Sequence, residues 1–188
     1  MARTVHTVHG MRICLRTAVV LLALTCVPAI AADKTSLISD ARATVQTFEQ
    51  KDPRVGKFVS GAAGYAGGAT IAKGGFIVGG AGGDGVLFVG GQPTGKANMG
   101  QASVGAQLGG QTYSEIIFFQ SPSALKDFEN GNFTLAAQAS AVALSAGAAA
   151  NADYQNGVAV FTASKTGLMY EASVGGQKFT YHPFTATR

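Results

Sequence analysis

Residues 56–110 hold nineteen of the chain's 26 glycines, and this density constrains the fold more than any other feature. Each interior glycine costs a helix about 1 kcal/mol against alanine, so stable helix is excluded there. Short apolar runs lie between the glycines: Phe76-Ile77-Val78, Val86-Leu87-Phe88-Val89 and residues 102–108. They read as strands joined by glycine turns, with Gln92-Pro93-Thr94-Gly95 as a clear reversal and Asp84 in Gly-Gly-Asp-Gly as a turn residue. Residues 112–120 give the strongest strand signal. Ile116 and Phe118 point one way and Tyr113, Ile117 and Phe119 the other, so both faces are apolar and the strand is expected at the centre of a sheet. Further strands are expected over the first half of residues 133–152, despite its alanine content, and over residues 158–163, 168–174 and 178–181. Gly175-Gly176 suits the tight hairpin between the last two.

Helix is expected in two places. Over residues 33–50, Leu37, Ala41, Val45 and Phe48 recur at helical spacing, with Ile38 widening the stripe. Ser36 or Thr35 is suited to cap its start, and Asp52-Pro53 ends it; residues 54–59 add a short turn. The plain reading is an amphipathic helix packed on its own domain, and the other is direct insertion of the same stripe into a membrane. Ser121-Pro122 opens a second, short helix closed by Gly131. The expected fold is α+β and strand-dominated: a largely antiparallel twisted or barrel-like sheet with an N-terminal amphipathic helix and one short helix.

The first 32 residues read as an export signal. Arg12 and Arg16 precede an apolar run over residues 17–27, Pro28 breaks that run, and Ala29-Ile30-Ala31 is a small-residue cleavage site. Cleavage is expected after Ala31, with Ala32 as the second choice; Met1 and Met11 both remain as starts. Lipidation of Cys26 is the weaker reading, because Leu24-Thr25-Cys26 carries a threonine where a smaller residue is expected. Otherwise Cys14 and Cys26 leave with the leader, and a single domain, residues 33–188, remains without a thiolate nucleophile or a cysteine metal site. Arg3, Arg12 and Arg16 leave too, so the formal charge falls from +4 to +1. That balance argues against a nucleic-acid partner bound through a field over the whole surface.

Motifs that suggest catalysis fail on context. Gly80, Gly82 and Gly85 match a dinucleotide fingerprint, but strand rather than helix is expected to follow. Residues 90–96 approach a phosphate-binding loop, but Ala97 supplies no hydroxyl for magnesium. His182, the one histidine left after cleavage, reads as a frayed tail residue. Glu115, inside the most apolar strand, is the carboxylate whose burial would raise its pKa; structural use with a hydrogen-bond or lysine partner is the expected role. No catalytic residue, metal or cofactor is assigned, and the protein is expected not to be an enzyme.

With the strands laid out, the chain resembles the SYLF domain family. Lys73-Gly74-Gly75-Phe76-Ile77-Val78-Gly79-Gly80 with Gly83-Asp84-Gly85-Val86-Leu87 resembles its central glycine block. Residues 101–110 with Gln111-Thr112-Tyr113-Ser114-Glu115-Ile116-Ile117-Phe118-Phe119 resemble the next strand pair. Residues 125–128, Gly131-Asn132-Phe133 and Ala139-Ser140-Ala141-Val142-Ala143 are similar to the helix and strand after it, and residues 167–173 and 175–179 to the end. Two departures stand out: Tyr65-Ala66-Gly67-Gly68-Ala69-Thr70 replaces an apolar strand that ends in Phe-Pro in many relatives, and Ala63 replaces a lysine before it, so that strand is expected to be weaker.

The resemblance implies a lipid-binding module, exported in its bacterial members, with a phospholipid or membrane surface as partner and an envelope protein as the alternative. It implies a periplasmic or secreted location, outer-membrane association included. Carried over, the lipid-contacting set is Leu37, Ile38, Val45 and Phe48 on the helix, with Lys34, Arg42, Lys51, Arg54 and Lys57 as headgroup contacts.

Overall fold

The computed structural model describes residues 27–75, 78–104, 111–131, 133, 135, 142–143, 145, 147–166 and 176–185. Over these residues the chain is an α+β, strand-rich fold. Its helices are α1 (Val27–Lys51), α2 (Val55–Gly61) and α3 (Pro122–Glu129). Its strands are β1 (Gly64–Gly75), β2 (Val78–Val89), β3 (Gln92–Val104), β4 (Gln111–Phe119), β5 (Val142–Ala143), β6 (Val158–Thr166) and β7 (Lys178–Pro183). They form one sheet in the order β5-β6-β4-β1-β2-β3-β7. All its ladders are antiparallel except β5 with β6. Among the described residues the sheet is open, with β5 and β7 at its edges.

The helix expected over residues 33–50 begins earlier, at Val27. Pro28 falls in its first turn, where a missing N–H costs no hydrogen bond, and the alanines after it favour helix. Ser36 is therefore inside the helix and not its cap; its hydroxyl donates to the Asp33 carbonyl at 3.0 Å. No described helix is long and apolar enough to cross a membrane.

The glycine-rich segment departs most from expectation. Its glycines lie inside three long strands, and the reversal sits at Gly90-Gly91 and not at Gln92–Gly95. Val89 pairs with Gln92, and the two glycines between them take φ of +57° and +76°, as a two-residue hairpin turn requires. Asp84 is likewise a strand residue, opposite Asn98 and Thr70. Gly80, Gly82 and Gly85 lie within β2, which opens no helix.

Close approach explains part of this. A Cβ on Gly85 would lie 2.6 Å from the Gly67 carbonyl oxygen and 3.0 Å from its carbon, both backbone atoms with little room to move. Gly85→Ala is expected to cost about 1–3 kcal/mol through overpacking. Gly100→Ala, exposed and with nothing within 4 Å of its added carbon, is expected to stay within about 0.5 kcal/mol of the parent. Urea midpoints of the two variants check this pair.

The sheet is buried on both faces, because alternate residues of its central strands point to opposite sides. Tyr65, Val86, Phe88, Ile116, Phe118 and Phe161 meet α1 and α2 through Ala41, Val45, Phe48, Val55 and Phe58. On the other side Ile71, Leu87, Met99, Tyr113, Ile117, Phe119 and Val160 gather with Leu125 and Phe128 of α3 and Phe179 of β7. The sheet curls round this second cluster. Phe128 lies 4.9 Å from Phe119 on β4 and 5.5 Å from Phe179 on β7, although three strands separate β4 from β7 in the sheet.

The opposed faces of β4 follow the expected parity, and its central place holds. β1, expected to be weak, is also central; it pairs with β2 and β4 and takes up the irregular stretch as a register shift after Gly68. Phe133 and Leu135, expected in a strand, are not in one; the Leu135 amide donates to the Gln177 carbonyl at 3.1 Å, and Gly176 donates back to Leu135 at 2.9 Å. Val142 and Ala143 form the short strand of that region, and residues 148–151 a 3-10 turn. His182 is in β7 opposite Lys96, so it is not a frayed tail residue. The expected strand over residues 168–174, Gly175, residues 76–77 and 105–110, and the rest of the 133–141 segment lie outside the described residues.

Candidate functional site

The α1–α2 elbow is built around Asp52, which the sequence offered only as a helix terminator. Its side chain is buried, with 1% of its surface exposed. One carboxylate oxygen accepts from the Arg54 amide at 3.1 Å and the other from the Ala149 amide at 2.8 Å. The Ala149 N–H, first among these influences, holds the carboxyl below its usual range against the opposing pull of burial. One residue thus fixes the turn between the helices and ties it to the distant 3-10 turn.

Around this elbow the nine residues expected to touch lipid separate into three groups. Val45 and Phe48 are buried against the sheet, and Leu37 and Ile38 are half-buried on the same cluster. The apolar stripe of α1 therefore packs on its own domain. Lys34 and Arg42 are engaged with aromatic rings: the Lys34 ammonium lies 4.6 Å from the Phe184 centroid, and the Arg42 guanidinium 5.5 Å from that of Phe88. Such contacts contribute about 0.5–1 kcal/mol each at exposed sites. Lys51, Arg54 and Lys57 are exposed at the elbow itself. The Arg54 charge acts on Asp52, whereas neither Lys51 nor Lys57 makes an ion pair with a described residue. An ion pair among the described residues joins Lys96 to Asp84 at 2.8 Å, on the β2–β3 hairpin.

Glu115 lies on the opposite face of the sheet and is 2% exposed. The Gln177 amide donates to its carboxyl at 3.0 Å and to the Tyr113 hydroxyl at 3.3 Å. Burial pushes the Glu115 carboxyl up to about 7, and the Gln177 hydrogen bond only partly opposes it. Burial likewise raises the Tyr113 hydroxyl, and the neighbouring Glu115 adds to the effect. The cavity in front of Glu115 is about 20 Å³ and is framed by Gly67, Gly68, Gly83 and Gly85. That is room for about one water molecule. The hydrogen-bond partner expected for this carboxylate is therefore present; it is Gln177, whose role no local sequence signal announced.

No curated protein matches the chain. Residues 100–183 match the family model described as Ysc84, Las17-binding protein actin regulator. The matched stretch runs from within β3 to the end of β7, and so takes in β4, α3 and the Glu115–Gln177 contact. That description attributes Las17 binding and actin regulation to the matched family. The match over residues 100–183 is to this family's model and is consistent with the resemblance to the SYLF domain family.

Proposed function

We propose that this protein is an exported, non-catalytic module that binds anionic phospholipid surfaces through the basic elbow between α1 and α2. The observation that carries the reading is the pair of exposed lysines, Lys51 and Lys57, which have no ion-pair partner among the described residues. Each basic residue near an anionic surface contributes about 1 kcal/mol. Arg42 and Arg54 already have partners within the fold, so the two lysines give the cleaner test. The double substitution Lys51→Gln/Lys57→Gln is expected to weaken sedimentation with anionic vesicles roughly 30-fold at low salt. Binding of the parent is expected to fall as salt rises. Unchanged vesicle affinity in the double variant would remove the elbow from the mechanism.

Export is part of the same proposal. The leader, its cleavage site at Ala29-Ile30-Ala31 and the periplasmic or secreted destination rest on the sequence; intact mass of the processed protein, beginning at Ala32, checks them. An exported chain meets no actin, so actin binding is not carried over from the family. The small cavity at Glu115, with room for about one water molecule, favours a structural role for that carboxyl.

A protein partner in the envelope is the second reading. It is favoured by an amphipathic groove of about 260 Å³ lined by Lys57, Phe58, Ala152, Asp153 and Tyr154, a size suited to a side chain from another protein. Recovery of one stoichiometric partner from envelope extract, with no vesicle binding, would select it.

A further inference from the structure

Beside its buried face, α1 carries a second stripe of Asp40, Ala43, Thr44, Thr47 and Lys51, recurring at helical spacing along one side. This stripe forms one wall of a groove of about 310 Å³; the other wall is built from Thr70 on β1, Ser114 on β4 and Ser164 on β6. A groove of that size is at the low end for small-ligand sites, and its walls are hydroxyl-rich. It suits a compact polar group and not an acyl chain.

The chemistry of the helix wall narrows the choice. The Thr44 hydroxyl donates to the Asp40 carbonyl at 3.0 Å, and the Thr47 hydroxyl to the Ala43 carbonyl at 2.8 Å. With those protons committed, both hydroxyls can only accept further hydrogen bonds through their lone pairs. A ligand must therefore bring donors to the middle of the groove and, at the Lys51 end, a negative charge. An amine would favour the Asp40 carboxylate. However, Asp40 and Lys51 are about 16 Å apart along the helix axis, farther than the two-carbon spacer of an aminoethyl phosphate can span. Hydroxyl groups beside Thr47, one helical turn from Lys51, meet both demands.

We infer that this groove binds a polyol phosphate, with a diol donating to Thr44 and Thr47 and the phosphate held by Lys51. The shared chemistry is that of glycerol phosphate, free in solution or as a phospholipid headgroup. In its headgroup form the inference rests on the membrane-binding reading above, and Lys51 belongs to both.

The test compares vesicles of equal surface charge containing either phosphatidylglycerol, which offers a diol, or phosphatidylserine, which offers an ammonium and a carboxylate. The parent protein is expected to prefer phosphatidylglycerol roughly fivefold, the worth of about one net hydrogen bond. Ala43→Phe, which fills the groove, and Thr47→Val, which removes one acceptor from an exposed position, are each expected to abolish the preference and leave binding to phosphatidylserine vesicles unchanged. In parallel, free glycerol 3-phosphate is expected to shift the amide resonances of Thr44, Thr47 and Ser114 where inorganic phosphate at the same concentration does not. Failure of all vesicle binding would overturn the membrane reading, and the resonance shifts would still decide the groove. A preference that survives both substitutions, or glycerol 3-phosphate shifts no larger than those of inorganic phosphate, would overturn the inference.

Discussion

Glu115→Gln is expected to stabilise the folded domain by up to about 3 kcal/mol above pH 7 and to leave it nearly unchanged near pH 4. The reason lies in the desolvated carboxyl on β4. Its pKa is about 7 when folded, against 4.5 for an ordinary glutamate. The unfolded chain therefore releases this proton first as the pH rises. The stability associated with the group is fully present below pH 4.5, is lost progressively through pH 7, and stays lost above it. Glutamine removes the titration and keeps the volume and an acceptor for the Gln177 amide. Gln177 Oε1, buried without a hydrogen-bond partner among the described residues, is an acceptor for its new N–H groups. Urea denaturation of parent and variant at pH 4, 6 and 8 checks this. The two stability profiles should diverge as the pH rises; parallel profiles would show that Glu115 is not the titrating group.

Phe118→Ala is expected to cost about 3–5 kcal/mol, as full truncation of a buried aromatic does. Phe118 has no exposed surface. Its ring lies 5.7 Å from Phe58 on α2, 5.8 Å from Tyr65 on β1 and 5.7 Å from Phe161 on β6. It therefore joins the short second helix to β4 and its two neighbours in the sheet, β1 and β6. A domain of this size has a stability of about 5–15 kcal/mol, so the loss leaves it marginal. Phe118→Leu, which keeps most of the volume, should lose much less. Denaturant midpoints of the two variants measure the difference, and a cost below about 1 kcal/mol for alanine would contradict the packing described.

The effects of these two neighbours on β4 show which parts of the structure local sequence encodes. The parity of Ile116 and Phe118 against Tyr113, Ile117 and Phe119 was legible, because alternation in a strand follows from backbone geometry alone. So was α3: the Ser121 hydroxyl accepts from the Ala124 amide at 3.2 Å, and Gly131 takes φ of +70° after its end, as the residue types predict. The stripe of Leu37, Ala41, Val45 and Phe48 was legible as amphipathic, and the structure supplies its partner, the sheet.

Features that depend on distant chain segments were not legible. Gly67 and Gly85 look like turn residues until their strands are paired, since only the ladder brings the carbonyl of one against the α-carbon of the other. Asp52 reads as a helix stop, and its burial depends on an amide 97 residues away. Gln177 sits 62 residues from the carboxyl it contacts, between a glycine turn and a strand that say nothing of that contact. Pro28 reads as a break, but in the first turn of a helix it is tolerated. The α1 groove was not legible for a similar reason: Lys51 was read only as a headgroup contact, and Thr44 and Thr47 carry no signal until β1, β4 and β6 supply the opposite wall.

The central claim is that the apolar stripe of α1 belongs to the protein core and that membrane contact is made from the polar side of the elbow. Amide hydrogen exchange over residues 37–51, with and without anionic vesicles, tests it most directly. Bound protein should show these amides at least as protected as in the free protein, with added protection near Lys51. Deprotection of the segment around Val45 and Phe48 on binding would mean that the helix leaves the sheet to enter the membrane, and would contradict the account.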